Sequence, residues 1–224
     1  DPEAAWAQGY EALRQRIRLH AENDGLAVLD ALAELPAELG GWGLSSAQCS
    51  RGMEREWTCR ARYDRVQRLA TNASFLAARP SGWSEAWQPM DAVVARFAVA
   101  DGGQALEPSR LRSRAEHDGK TITALQQVLP LMSGAMLGET VPVRLEPPRD
   151  EYGAVISAPP SMPAVSERPL ALEGPLRSMF LVPGLLANQV EWRAVSLTVD
   201  AAAELSLNRS RLMAGMSGVL YARD

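Results

Sequence analysis

The segment from Trp42 to Arg65, WGLSSAQCSRGMEREWTCRARYDR, constrains the fold more than any other stretch of this chain. It carries the only two cysteines, Cys49 and Cys59. Downstream, Trp57, Cys59, Ala61 and Tyr63 alternate with Thr58, Arg60, Arg62 and Asp64. Strict alternation points successive side chains to opposite faces, the pattern of a half-buried strand. The upstream run Trp42–Cys49 fits a partner strand, and the polar, glycine-containing Ser50–Arg55 fits a chain reversal between the two. The expectation is a hairpin stapled by Cys49–Cys59; the alternative is two reduced, buried cysteines that never meet. An even, minimal cysteine count suits one disulfide in an oxidising compartment. Closing so short a loop contributes about 2–3 kcal/mol in the chain-entropy picture. The spacing lacks the CxxC of zinc and redox sites, which argues against metal or redox chemistry.

Composition narrows the class. A chain of 224 residues suits one large domain or two small ones and buries enough surface to form a core unaided. The net charge of −4 argues against a nucleic-acid-binding surface. Among the basic residues only Lys120 is lysine, which reads more simply as genome composition than as anion recognition. No run of about 18 apolar residues is present to span a bilayer. The first residues, Asp1-Pro2, are neither an initiator methionine nor a signal segment, so a processed protein or fragment is expected.

Apolar periodicity then divides the chain. Trp6, Tyr10, Leu13 and Ile17 form a helical stripe over residues 3–21, suited to packing or to a membrane-proximal stalk. Asn23-Asp24 would cap a second helix over 24–35, ended by Pro36. After the cysteine hairpin, 73–80 reads as strand or loop, 84–87 as a helical turn and 92–100 as a strand. Residues 106–118 read as polar and extended, 122–138 as a helix kinked at Pro130, and 141–145 as a short strand. The proline-rich stretch 147–163 reads as irregular. A strand over 166–174, a helix over 175–188 disturbed at Pro183, and strands over 190–199 and 212–222 complete the chain. Residues 200–211 fit a short helix or a hairpin loop. The expected fold class is α+β: two ferredoxin-like α/β sandwich units with antiparallel sheets, preceded by an N-terminal helix. The corresponding segments are 1–22, 23–103 and 104–224.

Candidate chemistry is sparse. His20 and His117 both read as solvated, with no carboxylate or cysteine at ligand spacing. Gly215-Met216-Ser217-Gly218 falls one residue short of GxSxG and lacks a strand-to-helix elbow. Gly41-Trp42-Gly43 and Asp101-Gly102-Gly103 match no phosphate-binding loop. Glu54/Glu56 and Asp150/Glu151 read as solvated turn charges, and Asn72 and Asn208 open chance glycosylation patterns. Trp57, Trp192 and Trp6 read as core, whereas Trp83 and Trp87 share a face and are the candidate exposed pair. No catalytic residue, cofactor or metal ligand emerges.

The run Gly41-Trp42-x-Leu44, Cys49, then Trp57-Thr58-Cys59-Arg60-Ala61-Arg62-Tyr63-Asp64-Arg65, with Trp83 and Trp87 following, resembles the periplasmic region of type IVb pilin accessory proteins of the PilO class. The closing helix–strand–strand region from Leu172 to Arg223 extends the resemblance over most of the chain. The resemblance implies the periplasmic domain of a bacterial inner-membrane protein, anchored by a segment preceding Asp1. It also implies a non-enzymatic part in the pilus assembly platform, acting as a homodimer and through other inner-membrane and periplasmic pilus proteins. Trp6, Tyr10, Leu13, Ile17, Trp83 and Trp87 are then the candidate interaction residues. The rival expectation is a periplasmic or secreted glycan-binding domain using Trp83 and Trp87.

Overall fold

The computed structural model describes residues 1–19, 25–51, 56–89, 91–100, 104–105, 107–200 and 212–224. Helix α1 (Pro2–Arg16) opens with Asp1 as N-cap, its carboxylate accepting from the Glu3 amide at 3.0 Å, and Pro2 in the first turn. It stops at Ile17, short of the expected residue 21, and passes into strand β1 (Arg18–Leu19). Helix α2 (Leu26–Ala33) buries Val28, Leu29 and Leu32. The expected cap at Asn23-Asp24 lies outside the described residues, and Gly25 stands at the N-cap in the left-handed region.

Strands β2 (Glu38–Leu39), β3 (Trp42–Arg51) and β4 (Glu56–Arg65) follow, with β3 and β4 antiparallel and Cys49 directly opposite Cys59. The two sulfurs form a disulfide, so the stapled hairpin stands. Gly40 turns β2 into β3 at φ +57°; a Cβ there would lie 2.3 Å from the Ser74 carbonyl oxygen, so only glycine fits.

Residues expected as strand or loop form helix α3 (Asn72–Ala78). A reciprocal capping box explains it: Thr71 Oγ1 accepts from the Ser74 amide at 3.1 Å, and Ser74 Oγ from the Thr71 amide at 3.0 Å. Conversely, the expected helical turn at 84–87 is strand β5 (Ser84–Gln88), drawn into register with β6 (Ala92–Ala100). Tertiary pairing overrides a four-residue helical signal there. Strand β7 (Gln104–Ala105) pairs with β1.

Helix α4 (Arg114–Val128) begins inside the stretch expected to be extended and ends well before residue 138. Pro130 lacks the amide that would continue it; the chain passes through a 3-10 turn at Leu129–Leu131 and becomes strand β8 (Gly134–Leu137). The buried stripe of α4 is His117, Thr121, Ala124 and Val128, whereas Ile122 is 60% exposed and Met136 lies on a strand, 70% exposed. Strand β9 covers only Val141–Pro142, and 147–163 holds no helix or strand. Strand β10 (Val165–Pro175), helices α5 (Leu176–Met179) and α6 (Val182–Ala187), β11 (Glu191–Asp200) and β12 (Met213–Arg223) close the chain. The single expected helix over 175–188 is thus two short ones, broken at Phe180-Leu181 just before Pro183. Of the stretch read as helix or hairpin loop, 200–211, Asp200 ends β11 and 201–211 lie outside the described residues.

The molecule is α+β, with an N-terminal helix and a mostly antiparallel open sheet ordered β5-β6-β4-β3-β11-β12-β10-β8. The sheet runs unbroken across residue 104, because Ser46–Ser50 of β3 pair with Ser196–Asp200 of β11. On either side of that junction the same plan recurs. With the two-residue strands β2 and β9 set aside, the first half reads α2-β3-β4-α3-β5-β6, and the second reads α4-β8-β10, α5 with α6, β11-β12. In each, the four strands lie in the spatial order third, fourth, second, first.

Helices α2 to α6 cover one face and share one core with Trp57, Cys59, Ala61, Tyr63, Trp192, Leu197, Val199 and Leu220. On the other face α1 packs over one end: Leu13 and Ile17 join Leu111, Val165 and Tyr221 in a second cluster.

Candidate functional site

At the β5 end the sheet, α3 and β6 gather five aromatic rings, with Trp42 beside them. Phe75 of α3 is fully buried and packs edge-on against Trp42, Tyr63 and Trp87 with centroids 6.3, 5.6 and 5.7 Å away. Trp42 and Trp87 lie 5.5 Å apart, and Trp83 stacks on Phe97 at 4.8 Å with 11° between planes. Trp42 donates its indole N–H to the Thr71 carbonyl at 3.0 Å and takes the Arg65 guanidinium over its ring at 4.9 Å. Burial pushes the Tyr63 hydroxyl well above its usual pKa; it donates to the Pro36 carbonyl at 3.0 Å. The rings therefore act first as packing for one another. Trp83 and Trp87 do share a face, though not as a helical i, i+4 pair: Trp87 lies on β5 and Trp83 is the residue just before it, and Trp87 keeps 37% of its surface exposed.

The α1 stripe sits elsewhere. Trp6, Leu13 and Ile17 are buried against the chain's own residues, and the Trp6 indole donates to the Ile156 carbonyl at 3.1 Å. Tyr10 donates to Glu107 at 3.1 Å, and its pKa is raised by partial burial and by that carboxylate. Arg14 bridges Glu11 and Glu107 at 2.9 and 2.6 Å. Arg16 pairs with Glu167 at 2.6 Å, and its carbonyl accepts from Arg193 at 2.8 Å. These contacts tie the helix down onto β10, β11 and β12.

His117 is not solvated as the sequence suggests: it is 3% exposed under α4. Thr121 Oγ1 donates to the His117 carbonyl at 2.8 Å, which leaves that oxygen to accept from Nδ1–H at 3.3 Å. The Nε2 lone pair then faces a small cavity that it shares with Ser166 Oγ; both atoms are buried without a hydrogen-bond partner in the described structure. Burial lowers the imidazole pKa, with Arg112 and Arg168 reinforcing the effect and Asp118 opposing it. Nearby, Glu191 is paired with Arg112, yet burial raises its pKa, and its second carboxylate oxygen is buried without a partner among the described residues. His20 lies outside the described residues.

Beyond the end covered by α1, the face of the sheet opposite helices α2 to α6 is open from β11 to β8. It carries a shallow trough of about 430 Å³ lined by Ala171, Glu173, Ser196, Thr198, Gly215 and Ser217. Ser196 and Ser217 hydrogen-bond each other at 2.5 Å. Ser217 is thus a mid-strand residue, as expected for a chance GxSxG-like match. Asp150 is a loop acceptor for the Tyr152 and Ala154 amides. Among the described residues no cluster of His, Cys, Asp and Glu could hold a metal ion, and no helix is long and apolar enough to cross a membrane.

The feature that sequence reasoning missed is the pair of sheet edges. Among the described residues β5 pairs only with β6, and β8 only with β10. β8 was concealed because its apolar residues continue a helical periodicity; Pro130 and the Ser133-Gly134 pair were the signals against it. Comparison with protein-family models, curated proteins and solved structures finds no match in any of the three.

Proposed function

We propose that this chain is a non-enzymatic scaffold: the periplasmic domain of a type IVb pilus inner-membrane assembly platform, working through contacts with its own kind and with other pilus proteins. The observation that carries the reading is the repeated helix–strand–strand–helix–strand–strand plan with one strand order in both halves. That order, third-fourth-second-first, is what a ferredoxin-like unit becomes when its first strand is moved to the end of the chain. We therefore read each half as a circularly permuted ferredoxin-like unit. The disulfide hairpin supports an oxidising compartment. Two sheet edges left unpaired among the described residues and an open part of the sheet face supply surface for partners.

The glycan reading has less support. Trp83 already has one ring face against Phe97, and Trp87 leans on Trp42 and Phe75, so neither offers a wide free platform.

Affinity-tagged full-length protein, purified from detergent-solubilised membranes of the native bacterium, tests the proposal. Pilus inner-membrane proteins should co-purify, and deletion of the gene should abolish pili while pilin remains present. Normal piliation in the deletion strain, with no pilus protein retained by the tag, would overturn it.

A further inference from the structure

The junction inside the chain shows how one unit of this plan joins another. The first strand of the first unit, β3, lies antiparallel to the third strand of the second, β11, over five residue pairs from Ser46↔Asp200 to Ser50↔Ser196. Among the described residues two edges of the same kind remain free: the third strand of the first unit, β5, and the first strand of the second, β8. They have five and four residues, much the length of the internal junction.

The backbone of each edge can be read from the ladders. The Arg65 amide donates to the Asp91 carbonyl at 2.9 Å, which places the hydrogen-bonded pairs of β4 and β6 at odd-numbered residues of β6. The even residues of β6 therefore bond to β5, and the Glu85 and Trp87 amides and carbonyls point outward. By the same alternation, the Gly138 amide donating to the Pro169 carbonyl at 2.8 Å leaves the backbone groups of Ala135 and Leu137 pointing outward from β8.

We infer that β5 of one copy pairs antiparallel with β8 of the next, continuing the sheet head to tail as β3 and β11 do within the chain. The outward groups meet when Glu85 lies opposite Leu137 and Trp87 opposite Ala135, so both pairs exchange backbone hydrogen bonds. In that register the side chains of 85, 87, 135 and 137 all lie on the helix-covered face, as Cys49 and Leu197 do across the internal junction. The half-exposed Trp87 ring meets the smallest residue on that face of β8, Ala135. Neither edge blocks the approach with a free charge, because Glu85 is held by Arg79 at 3.3 Å and β8 has no charged residue. The contact is heterologous, so each copy keeps one edge free and assembly proceeds to a row or a ring.

This inference rests on the scaffold reading, and its failure is separable: a purified chain that stays monomeric while still co-purifying with pilus proteins overturns only the head-to-tail contact. The test is sedimentation velocity of two single-edge variants. Glu85→Pro removes an outward amide from β5 and Ala135→Pro one from β8. The parent chain should sediment as species larger than dimer at high concentration, and each variant alone as monomer. An equimolar mixture should form one-to-one dimers and nothing larger, since each variant supplies the edge the other lacks. A monomeric parent, a monomeric mixture, or either variant dimerising alone would overturn the contact.

A second measurement does not depend on the prolines folding. Ala86 and Met136 lie opposite each other in the inferred register, between the two hydrogen-bonded pairs. Copies carrying Ala86→Cys mixed with copies carrying Met136→Cys should give a mixed disulfide under mild oxidation. Only 86–86 or 136–136 species, or no cross-link, would contradict the register.

Discussion

Cys49 and Cys59 are both fully buried and sit opposite each other on adjacent strands, so their bond closes a short loop within one hairpin. Replacing both with alanine should lower the stability of the chain by about 2–3 kcal/mol in urea titration. An unchanged midpoint would mean that the staple adds nothing to the hairpin. Gly218 illustrates a different constraint: a Cβ there would lie 2.1 Å from the Trp192 ring and 2.5 Å from the Arg193 carbonyl oxygen. Gly218→Ala should cost about 3 kcal/mol, because a buried indole and a strand must both shift. His117 makes stability depend on pH. Burial holds its folded pKa below the unfolded value of 6.5, so between the two the unfolded chain binds more protons. Its contribution is complete above the unfolded value and declines as pH falls below it. Glu191, with its folded pKa raised, acts in the opposite sense: it favours folding below its unfolded pKa of 4.5 and loses that as pH rises through the folded value. The urea midpoint should therefore fall less between pH 7 and about pH 5 in His117→Gln than in the parent, and equal slopes would exclude the role of this imidazole.

At the scale of elements, what the sequence disclosed followed from how local each signal is. β4 of the cysteine hairpin and much of β11 were legible because apolar and polar residues alternate along them, whereas β6, β10 and β12 showed as short apolar runs between polar, glycine- or proline-containing stretches. α3 was not, since its capping box uses Ser74 where glutamate or glutamine is the usual cue. β5 and β8 were hidden because strands of five and four residues carry too short a pattern to tell strand from helix and are fixed by pairing with β6 and β10. The stripe of α4 escaped because two of its buried residues, His117 and Thr121, are polar and contact each other. The aromatic pair Trp83 and Trp87 was found for the wrong geometry, since positions i and i+4 share a face in both a helix and a strand. The cap of α3 yields a direct check: Thr71→Ala should destabilise the chain by about 1 kcal/mol in thermal or urea unfolding. A loss no greater than that of an exposed surface substitution would show that the helix is held by Phe75 alone.

At the scale of the molecule, the duplicated plan and the shared sheet matter more than any one residue. The segment boundary expected near residue 104 is crossed by backbone hydrogen bonds from β3 to β11, so the two halves present one continuous surface with an edge at each end. The α1 stripe, expected to serve partners, is taken up largely within the chain. That leaves the two edges and the open face as the surfaces a scaffold would use. Photo-cross-linking in the native bacterium addresses this most directly, with a photoreactive residue placed in the full-length protein at Ala86, at Ala135 or at the 87% exposed control Tyr152. Adducts with a second copy or with pilus inner-membrane proteins from positions 86 and 135, and none from 152, are the predicted result. Piliated cells that give no adduct from either edge would contradict the scaffold account.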